Sequence, residues 1–124
     1  MLTTFEDLEV WKRSSKLAAQ IIIEIYQHPN FAIRDQISRS ALSVPSNIAE
    51  GSERDSVKDY IRFLRIAKGS CAELRTQLYI NQKISQTTTQ GQIIKTNQYI
   101  QETKEILAML QGLINSLQKR IPST

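Results

Sequence analysis

Hydrophobic and small residues recur along most of this chain in steps of three and four, the spacing of one face of an α-helix. In the first segment this row is Trp11, Ser15, Ala18, Ile22 and Ile25, and in the second it is Ile37, Ala41, Val44 and Ile48. The third row is Val57, Tyr60, Leu64, Ala67, Cys71, Leu74 and Leu78. The fourth is Ile93, Ile100, Leu107, Leu110, Ile114, Leu117 and Ile121. The pattern predicts four amphipathic helices.

Polar residues at the ends of these rows predict where the helices begin and stop. Thr3 and Glu6 have the spacing of a capping box at the start of helix one. His28 and Pro29 end that helix, and Asn30 is a suitable N-cap for helix two. The first row is thus bounded on both sides, and the start of the second row is marked, by residues that favour helix ends.

The one polar, low-complexity connector is "SQTTTQGQ", residues 85–92, between helices three and four. Thr89 and Gln92 within it have capping-box spacing for helix four. Helices three and four then extend over about 28 residues each, or roughly 42 Å. Short loops between such helices favour antiparallel neighbours. We therefore predict an all-α, antiparallel up-down four-helix bundle in which residues 1–124 form a single domain.

Pro45, in the stretch "SVPSNIAEGSER", lies inside the pattern of helix two. Proline removes one amide donor and clashes with the carbonyl group four residues back, here that of Ala41. We therefore expect helix two to run from about residue 30 to residue 50 with a kink at 41–45, rather than to open into a loop. The polar side chains that can bond to groups released by the bend are Ser43, Ser46 and Asn47.

The end of the same stretch suggests how helix two stops. Gly51 suits the left-handed position that terminates many helices. Ser52 or Asp55 can then cap helix three. A single glycine with no following Lys-Ser or Lys-Thr pair does not make a phosphate-binding loop.

Composition narrows the class of protein. The chain has 124 residues, of which 40% are hydrophobic and 23% charged, as in an ordinary globular domain. A lone cysteine, Cys71, excludes an internal disulfide, and the acidic start "MLTTFEDLEV" lacks the basic residues of a signal peptide. We expect a cytoplasmic protein. The net charge of +4 and the pI of about 9.4 mildly favour polyanionic partners.

Residues with catalytic chemistry are sparse. The one histidine, His28, lies at a predicted helix end, and Cys71 lies on the core-facing row, where cysteine usually acts as a small hydrophobe. Glu50 and Glu73 lie beside core positions, where a helix-end contact or a salt bridge to an arginine such as Arg39 or Arg75 is the simpler explanation. Paired acid-base catalysis would need the two carboxylates close together in a cleft. We expect no catalytic residues, no metal site and no cofactor.

The main functional signal is a basic stripe on helix three. Lys58, Arg62, Arg65 and Lys68 fall within about a third of the helical turn, opposite the core-facing row. The complete set of candidate nucleic-acid-binding residues is Arg54, Lys58, Arg62, Arg65, Lys68 and Arg75. From the residues alone, a solvated outer face diluted by Asp55, Asp59 and Glu73 is the simpler interpretation.

Two features predict contact with a further subunit. Helix four carries apolar residues off its main row, namely Ile94, Ile106, Met109 and Leu113. A helix that is apolar on more than one side often has a second surface to cover. The Gly69-Ser70 step in helix three suits close approach of a neighbouring helix or subunit.

The segments "FEDLEVWKRS", "QISRSALSVPSNIAEGSERDS" and "YIRFLRIAKGSCAELRTQL" resemble the four-helix-bundle family of bacterial ribosomal-RNA intervening-sequence proteins. The resemblance spans residue 5 to about residue 78, and the last helix matches only in length and amphipathicity. A similar bundle is the accessory variability determinant of diversity-generating retroelements, which partners a reverse transcriptase and nucleic acid.

This resemblance implies a homopentameric barrel with a basic surface that contacts RNA or DNA, and it implies no enzymatic activity. It favours a non-enzymatic oligomeric bundle that binds structured RNA or DNA through basic helix faces. The alternative is a protein-interaction adaptor for a nucleic-acid enzyme such as a reverse transcriptase. An enzyme of unknown reaction is the third interpretation.

Overall fold

The chain folds into four helices in a computed structural model that describes residues 4–122. A short 3-10 turn, Phe5–Asp7, precedes them. The helices are α1 (Glu9–Ile25), α2 (Phe31–Ser52), α3 (Val57–Thr88) and α4 (Thr96–Gln118). All regular structure in the described range is helical, which confirms the predicted all-α class.

Side-chain contacts show that neighbouring helices run antiparallel. Ser40 of α2 donates a hydrogen bond to Glu73 of α3 at 2.6 Å, and Ser43 of α2 lies 2.7 Å from Ser70 of α3. Residue numbers therefore decrease along α3 as they increase along α2. Helices α1 and α4 are also antiparallel. The start of α1 contacts later residues of α4, and the end of α1 contacts earlier ones. The predicted up-down bundle is confirmed.

Arg13 of α1 forms ion pairs with α4. Its Nε donates to Glu102 at 2.9 Å and its Nη2 to Glu105 at 2.8 Å. Near the other end, Tyr99 donates to Glu24, which also accepts from the backbone amide of Ile94 at 3.0 Å. Burial, followed by the bond to Glu24, raises the pKa of Tyr99 above its ordinary value. These contacts fix the register of α1 against α4.

The rows predicted to face the core are confirmed for α2 and α3. In α1 the buried row is rotated about the helix axis relative to the predicted one. Leu64, Ala67, Cys71, Leu74 and Leu78 are all buried in α3. In α1 the buried residues are Val10, Ser14, Leu17, Ala18, Ile21 and Ile25. The first helix is apolar on two adjacent rows, so periodicity alone did not distinguish the row facing the core from the one facing α2.

The connection from α3 to α4 differs from the prediction. Thr89, expected to cap helix four, instead ends α3 in the left-handed conformation at φ 58°, with its amide bonded to the carbonyl of Ser85 at 2.8 Å. Helix α3 therefore has 32 residues and α4 only 23. Gly91, also at positive φ, completes the reversal of the chain.

The extra apolar residues of helix four do not form a second exposed surface, so this prediction was wrong. Ile106 is fully buried in the core, and Met109 and Leu113 pack against it. Ile94 is exposed but precedes α4. The apolar surface formed by Ile106, Met109 and Leu113 is therefore packed within the chain's own bundle. A Cβ added at Gly69 would meet no neighbouring atom within 4 Å, so this glycine does not serve a close approach inside the bundle.

Helix α2 passes through Pro45 without opening into a loop, as predicted. Asn30 caps it by accepting the amide of Ile33 at 3.0 Å, and Pro45 itself is buried. The side chain of Asn47 donates to the carbonyl of Ser43 at 2.8 Å, which is the local bonding expected near the missing amide. The bend at 41–45 stays a prediction.

Gly51 does not terminate α2 in the left-handed conformation, and the prediction that it does was wrong. It lies inside α2, is buried, and faces the start of α3, where an added Cβ would come within 2.7 Å of the Cβ of Phe63. Helix α3 is capped by Ser56, which accepts the amide of Asp59 at 3.0 Å, and not by Ser52 or Asp55. The capping residue proposed at Thr3 lies outside the described residues.

Candidate nucleic-acid interface

The excess positive charge of the chain resides on α3. This helix holds six of the 16 lysines and arginines but only two of the 12 acidic residues, Asp59 and Glu73. The remainder of the chain therefore carries ten residues of each sign. The net charge of +4 is a property of one helix rather than of the whole surface.

Four of the cations of α3 project from its outer face, away from the buried row at Leu64, Ala67 and Cys71. We call them the outer basic row: Lys58, Arg62, Arg65 and Lys83, all exposed. Lys83 follows Arg65 by 18 residues, or about five helical turns, so the two lie on the same side of the helix. Lys83 is not among the residues predicted from the sequence, although its spacing from Arg65 is a signal that could have identified it.

Acidic neighbours hold two of the predicted arginines in place. Arg54 bonds to Glu50 at 3.0 Å, and Arg62 bonds to Asp59 at 2.9 Å. Both guanidinium groups also lie 4.5 Å from the ring centroid of Phe63. Such cation–π contacts orient the two cations at the start of α3. Within residues 4–122, Lys58 and Arg65 have no carboxylate at ion-pair distance.

The remaining predicted residues turn toward α4. Lys68 is half-buried and its ammonium group donates to Gln111, while Arg75 is half-buried on the same side of α3. The six residues proposed from sequence are therefore divided between the outer face, with Arg54, Lys58, Arg62 and Arg65, and the groove between α3 and α4.

The antiparallel packing brings further cations, from the end of the chain, beside the start of α3. The last turn of α4 lies beside the start of α3, and Lys119 and Arg120 follow it. Burial raises the pKa of Tyr60 on α3, and the positive charge of the nearby Arg120 opposes that rise. The end of the bundle that carries Arg54 and Lys58 thus also carries the basic end of α4.

The residues weighed for catalysis have structural partners. Cys71 is buried and its thiol contacts the carbonyl of Thr103 at 3.3 Å, and burial raises its pKa to about 11. Glu50 pairs with Arg54 at the end of α2, whereas Glu73 accepts from Ser40 near the middle of α3. The two carboxylates therefore have separate contacts, and neither pairs with Arg39 or Arg75.

His28 is buried in a hydrogen-bond network between two loops and α3. Its Nδ1 accepts from the amide of Asn30 at 3.0 Å, which leaves the proton on Nε2, 2.8 Å from Oδ1 of Asn81. Asn81 in turn donates to the carbonyl of Gly91 at 3.0 Å. The histidine therefore ties the two loops together rather than simply ending α1 as the sequence suggested.

The described residues contain neither a cluster of metal ligands nor a membrane-spanning helix. Among residues 4–122, no three histidine, cysteine or acidic side chains lie together as metal ligands would. In the same part of the chain, no helix combines the length and apolar character needed to cross a bilayer.

Comparison with known proteins assigns the family. A crystal structure of a protein of unknown function from the S23 ribosomal protein family of Bacteroides thetaiotaomicron VPI-5482 has a similar fold, with a TM-score of 0.72. It is 24% identical, and the match covers 85% of this chain and 97% of that one. None of the curated proteins matches this sequence. The family model for the 23S rRNA-intervening sequence protein matches residues 6–112, well beyond the end of the resemblance seen near residue 78. The chain belongs to the family of 23S rRNA-intervening sequence proteins.

Proposed function

We propose that this protein is a non-enzymatic, oligomeric bundle that binds structured RNA or DNA through the phosphate backbone. The observation that carries the proposal is the concentration of the whole net charge on α3, with the outer basic row exposed along it. The family name, which refers to 23S rRNA, favours a structured RNA as the ligand.

The arrangement of the cations favours contacts with phosphates over reading of bases. Lys58 and Arg65 project from a rigid helix and are cations of the row without an acidic partner in the described range. Of the aromatic rings on α3, Tyr60 packs against the core and Phe63 is buried, which leaves Tyr79, four residues before Lys83, as the one exposed ring beside the row. Phosphate contacts carry no sequence information, so binding should tolerate different sequences.

Self-association would strengthen such contacts. We propose a closed homo-oligomer, with five subunits as the resemblance implies, in which each copy contributes one outer basic row. Several rows on one assembly would act together on one nucleic acid and raise the affinity through multivalency. The family membership supports this proposal, whereas Ile106, Met109 and Leu113 of helix four do not, because they pack in or against the core of their own chain.

A salt titration with charge-reversed variants tests the binding surface. The test variant is Lys58→Glu with Arg65→Glu, and the control is Lys12→Glu with Lys104→Glu, exposed cations on α1 and α4. Both variants change the net charge equally. The ligands are a hairpin from 23S rRNA and a duplex DNA of unrelated sequence.

We expect the test variant to lose much more affinity than the control for both ligands. Each lost phosphate contact should also flatten the slope of log affinity against log salt by about 0.9 on duplex DNA. Equal affinities and slopes for the two folded variants would show that the row is a solvated face. That outcome would favour the adaptor for a nucleic-acid enzyme such as a reverse transcriptase, whose binding should tolerate salt.

A further inference from the structure

Tyr79 is an exposed aromatic side chain beside the outer basic row of α3. Of its surface, 43% is exposed. Lys83 follows Tyr79 by four residues and Arg75 precedes it by four, so a cation lies one helical turn away on each side. Within residues 4–122, no other aromatic ring packs on Tyr79 and no guanidinium group lies over it. The ring is therefore available to stack on a group from outside the chain.

The chain around Tyr79 carries positive charge only. Residues 74–101 cover the second half of α3, the connector and the start of α4, and they include no aspartate or glutamate. The charged residues of this stretch are Arg75, Lys83 and Lys95. The start of α3 differs, because its arginines are paired with carboxylates. An anion can therefore approach Tyr79 without meeting an acidic side chain of this stretch.

Two carboxylates close to this end of the bundle are engaged on other faces. Glu24 accepts a hydrogen bond from Tyr99 between α1 and α4. Glu73, the last acidic residue of α3, accepts from Ser40 between α2 and α3. Tyr79 follows Glu73 by six residues, or about one and two-thirds turns, so the two side chains lie on different sides of α3. Neither carboxylate is therefore placed to repel an anion beside Tyr79.

An exposed aromatic ring between two cations matches the chemistry of an unpaired nucleotide. Every base has a π-face that can stack on an aromatic side chain, and the unstacked bases of loops and bulges leave that face uncovered. The phosphates on either side of the stacked base would lie beside Arg75 and Lys83. Tyr79 lies 14 residues beyond Arg65, or about 21 Å along α3, which is the length of about six base pairs of B-form DNA. A short stem on the outer basic row would thus end near Tyr79.

We propose that Tyr79 stacks on an unpaired base of a structured RNA while Lys83 and Arg75 contact the flanking phosphates. Lys58 and Arg65 would hold the adjoining stem. Stacking is tolerant of base identity, so this contact selects for an unpaired nucleotide rather than for a sequence. The inference rests on the proposed function and identifies the feature of the nucleic acid that the protein prefers, which is a loop or bulge next to a duplex.

Variants of Tyr79 and a modified RNA test the stacking contact. Tyr79→Leu removes the ring but keeps an apolar side chain, whereas Tyr79→Phe keeps the ring. The control is Tyr26→Leu, which replaces a tyrosine that is 76% exposed directly after α1. The two RNA probes are a hairpin from 23S rRNA and the same hairpin with abasic nucleotides in its loop. The second probe retains every phosphate and lacks the unpaired bases.

We expect Tyr79→Leu to bind the intact hairpin about 5- to 150-fold more weakly than the wild type, because the stacked base is lost. Tyr79→Phe and Tyr26→Leu should bind it like the wild type. On the abasic hairpin, Tyr79→Leu and the wild type should bind equally, since no base remains to stack. The slope of log affinity against log salt should be unchanged in Tyr79→Leu, whereas Lys83→Gln should flatten it by about 0.7, the value for one phosphate of a single strand.

The outcomes separate this inference from the proposed function. An unchanged affinity of Tyr79→Leu for the intact hairpin, or an equal loss for both hairpins, would overturn the stacking contact alone. A changed assembly state of Tyr79→Leu in sedimentation would make Tyr79 a subunit contact and would overturn it as well. A wild-type protein that binds neither hairpin would overturn the proposed function together with the inference. Leucine favours a helix more than tyrosine does, so Tyr79→Leu should fold, and melting curves verify this for every variant.

Discussion

Replacing Gly51 by alanine tests the close packing between the end of α2 and the start of α3. An added Cβ would lie 2.7 Å from Cβ of Phe63, 3.1 Å from Cδ1 of Tyr60 and 3.2 Å from the carbonyl oxygen of Tyr60. The first and third of these atoms belong to or adjoin the α3 backbone. They cannot rotate away as the end of a long side chain could, so the two helices would have to separate.

The expected change in stability combines two opposing effects. Alanine in place of glycine inside a helix stabilises it by about 1 kcal/mol. Forcing one extra carbon into a packed site costs about 1–3 kcal/mol, and the 2.7 Å approach places Gly51→Ala toward the upper part of that range. We expect a net loss of roughly 1–2 kcal/mol, equivalent to a fall in Tm of about 4–8 °C.

The matched control is Gly69→Ala in α3. A Cβ added there has no neighbour within 4 Å, and the site is exposed, so only the gain in helix propensity of about 1 kcal/mol should apply. Gly112→Ala in α4 meets the same conditions. Urea unfolding at one fixed protein concentration should therefore place Gly51→Ala below the wild type and both controls above it. A Gly51→Ala protein as stable as Gly69→Ala would refute the close approach.

Three further predictions follow from buried or paired groups. Asn81→Leu removes the partner of His28 and should lower the free energy of unfolding by about 1–3 kcal/mol in urea titrations; an unchanged midpoint would contradict the network. Pairing with Arg13 lowers the pKa of Glu105 in the folded protein. The ion pair therefore stabilises the fold fully above the carboxyl pKa of the unfolded chain, and this stabilisation is lost as the pH falls through the lower pKa of the folded protein. Arg13→Met should therefore lose less stability than the wild type between about pH 5 and pH 3, and parallel pH profiles would exclude this pairing. Buried Cys71, with its pKa raised to about 11, should react with a thiol reagent at pH 8 only on unfolding, and rapid modification of the native protein would contradict its burial.

The sequence was sufficient for features that depend on local periodicity. The rows of α2 and α3 follow the spacing of three and four residues without interruption, and Asn30 caps α2 as its chemistry suggests. Pro45 does not break its helix, because Ser43 and Asn47 bond locally and the ring is buried. These features are decided within a few residues along the chain.

Features that depend on contacts between helices could not be predicted in this way. Gly51 resembles a helix terminator in sequence, and only the approach of Phe63 reveals its packing role. The same limit applies to the binding site. The packing of α4 against α3 places Gln111 within hydrogen-bonding distance of Lys68, and it brings Arg120 near the start of α3. Periodicity places a residue on a face of its helix but does not identify the partner of that face.

The most direct test of the account is to measure which lysines a bound RNA protects from chemical acetylation. The protein is labelled with and without a hairpin from 23S rRNA, and the modification of each lysine is quantified by mass spectrometry. If the outer basic row contacts phosphates, Lys58 and Lys83 should be protected by the RNA, whereas Lys12 on α1 and Lys104 on α4 should be modified equally in both samples. Equal protection of all four lysines, or protection confined to Lys12 and Lys104, would contradict the proposal that α3 is the nucleic-acid-binding surface.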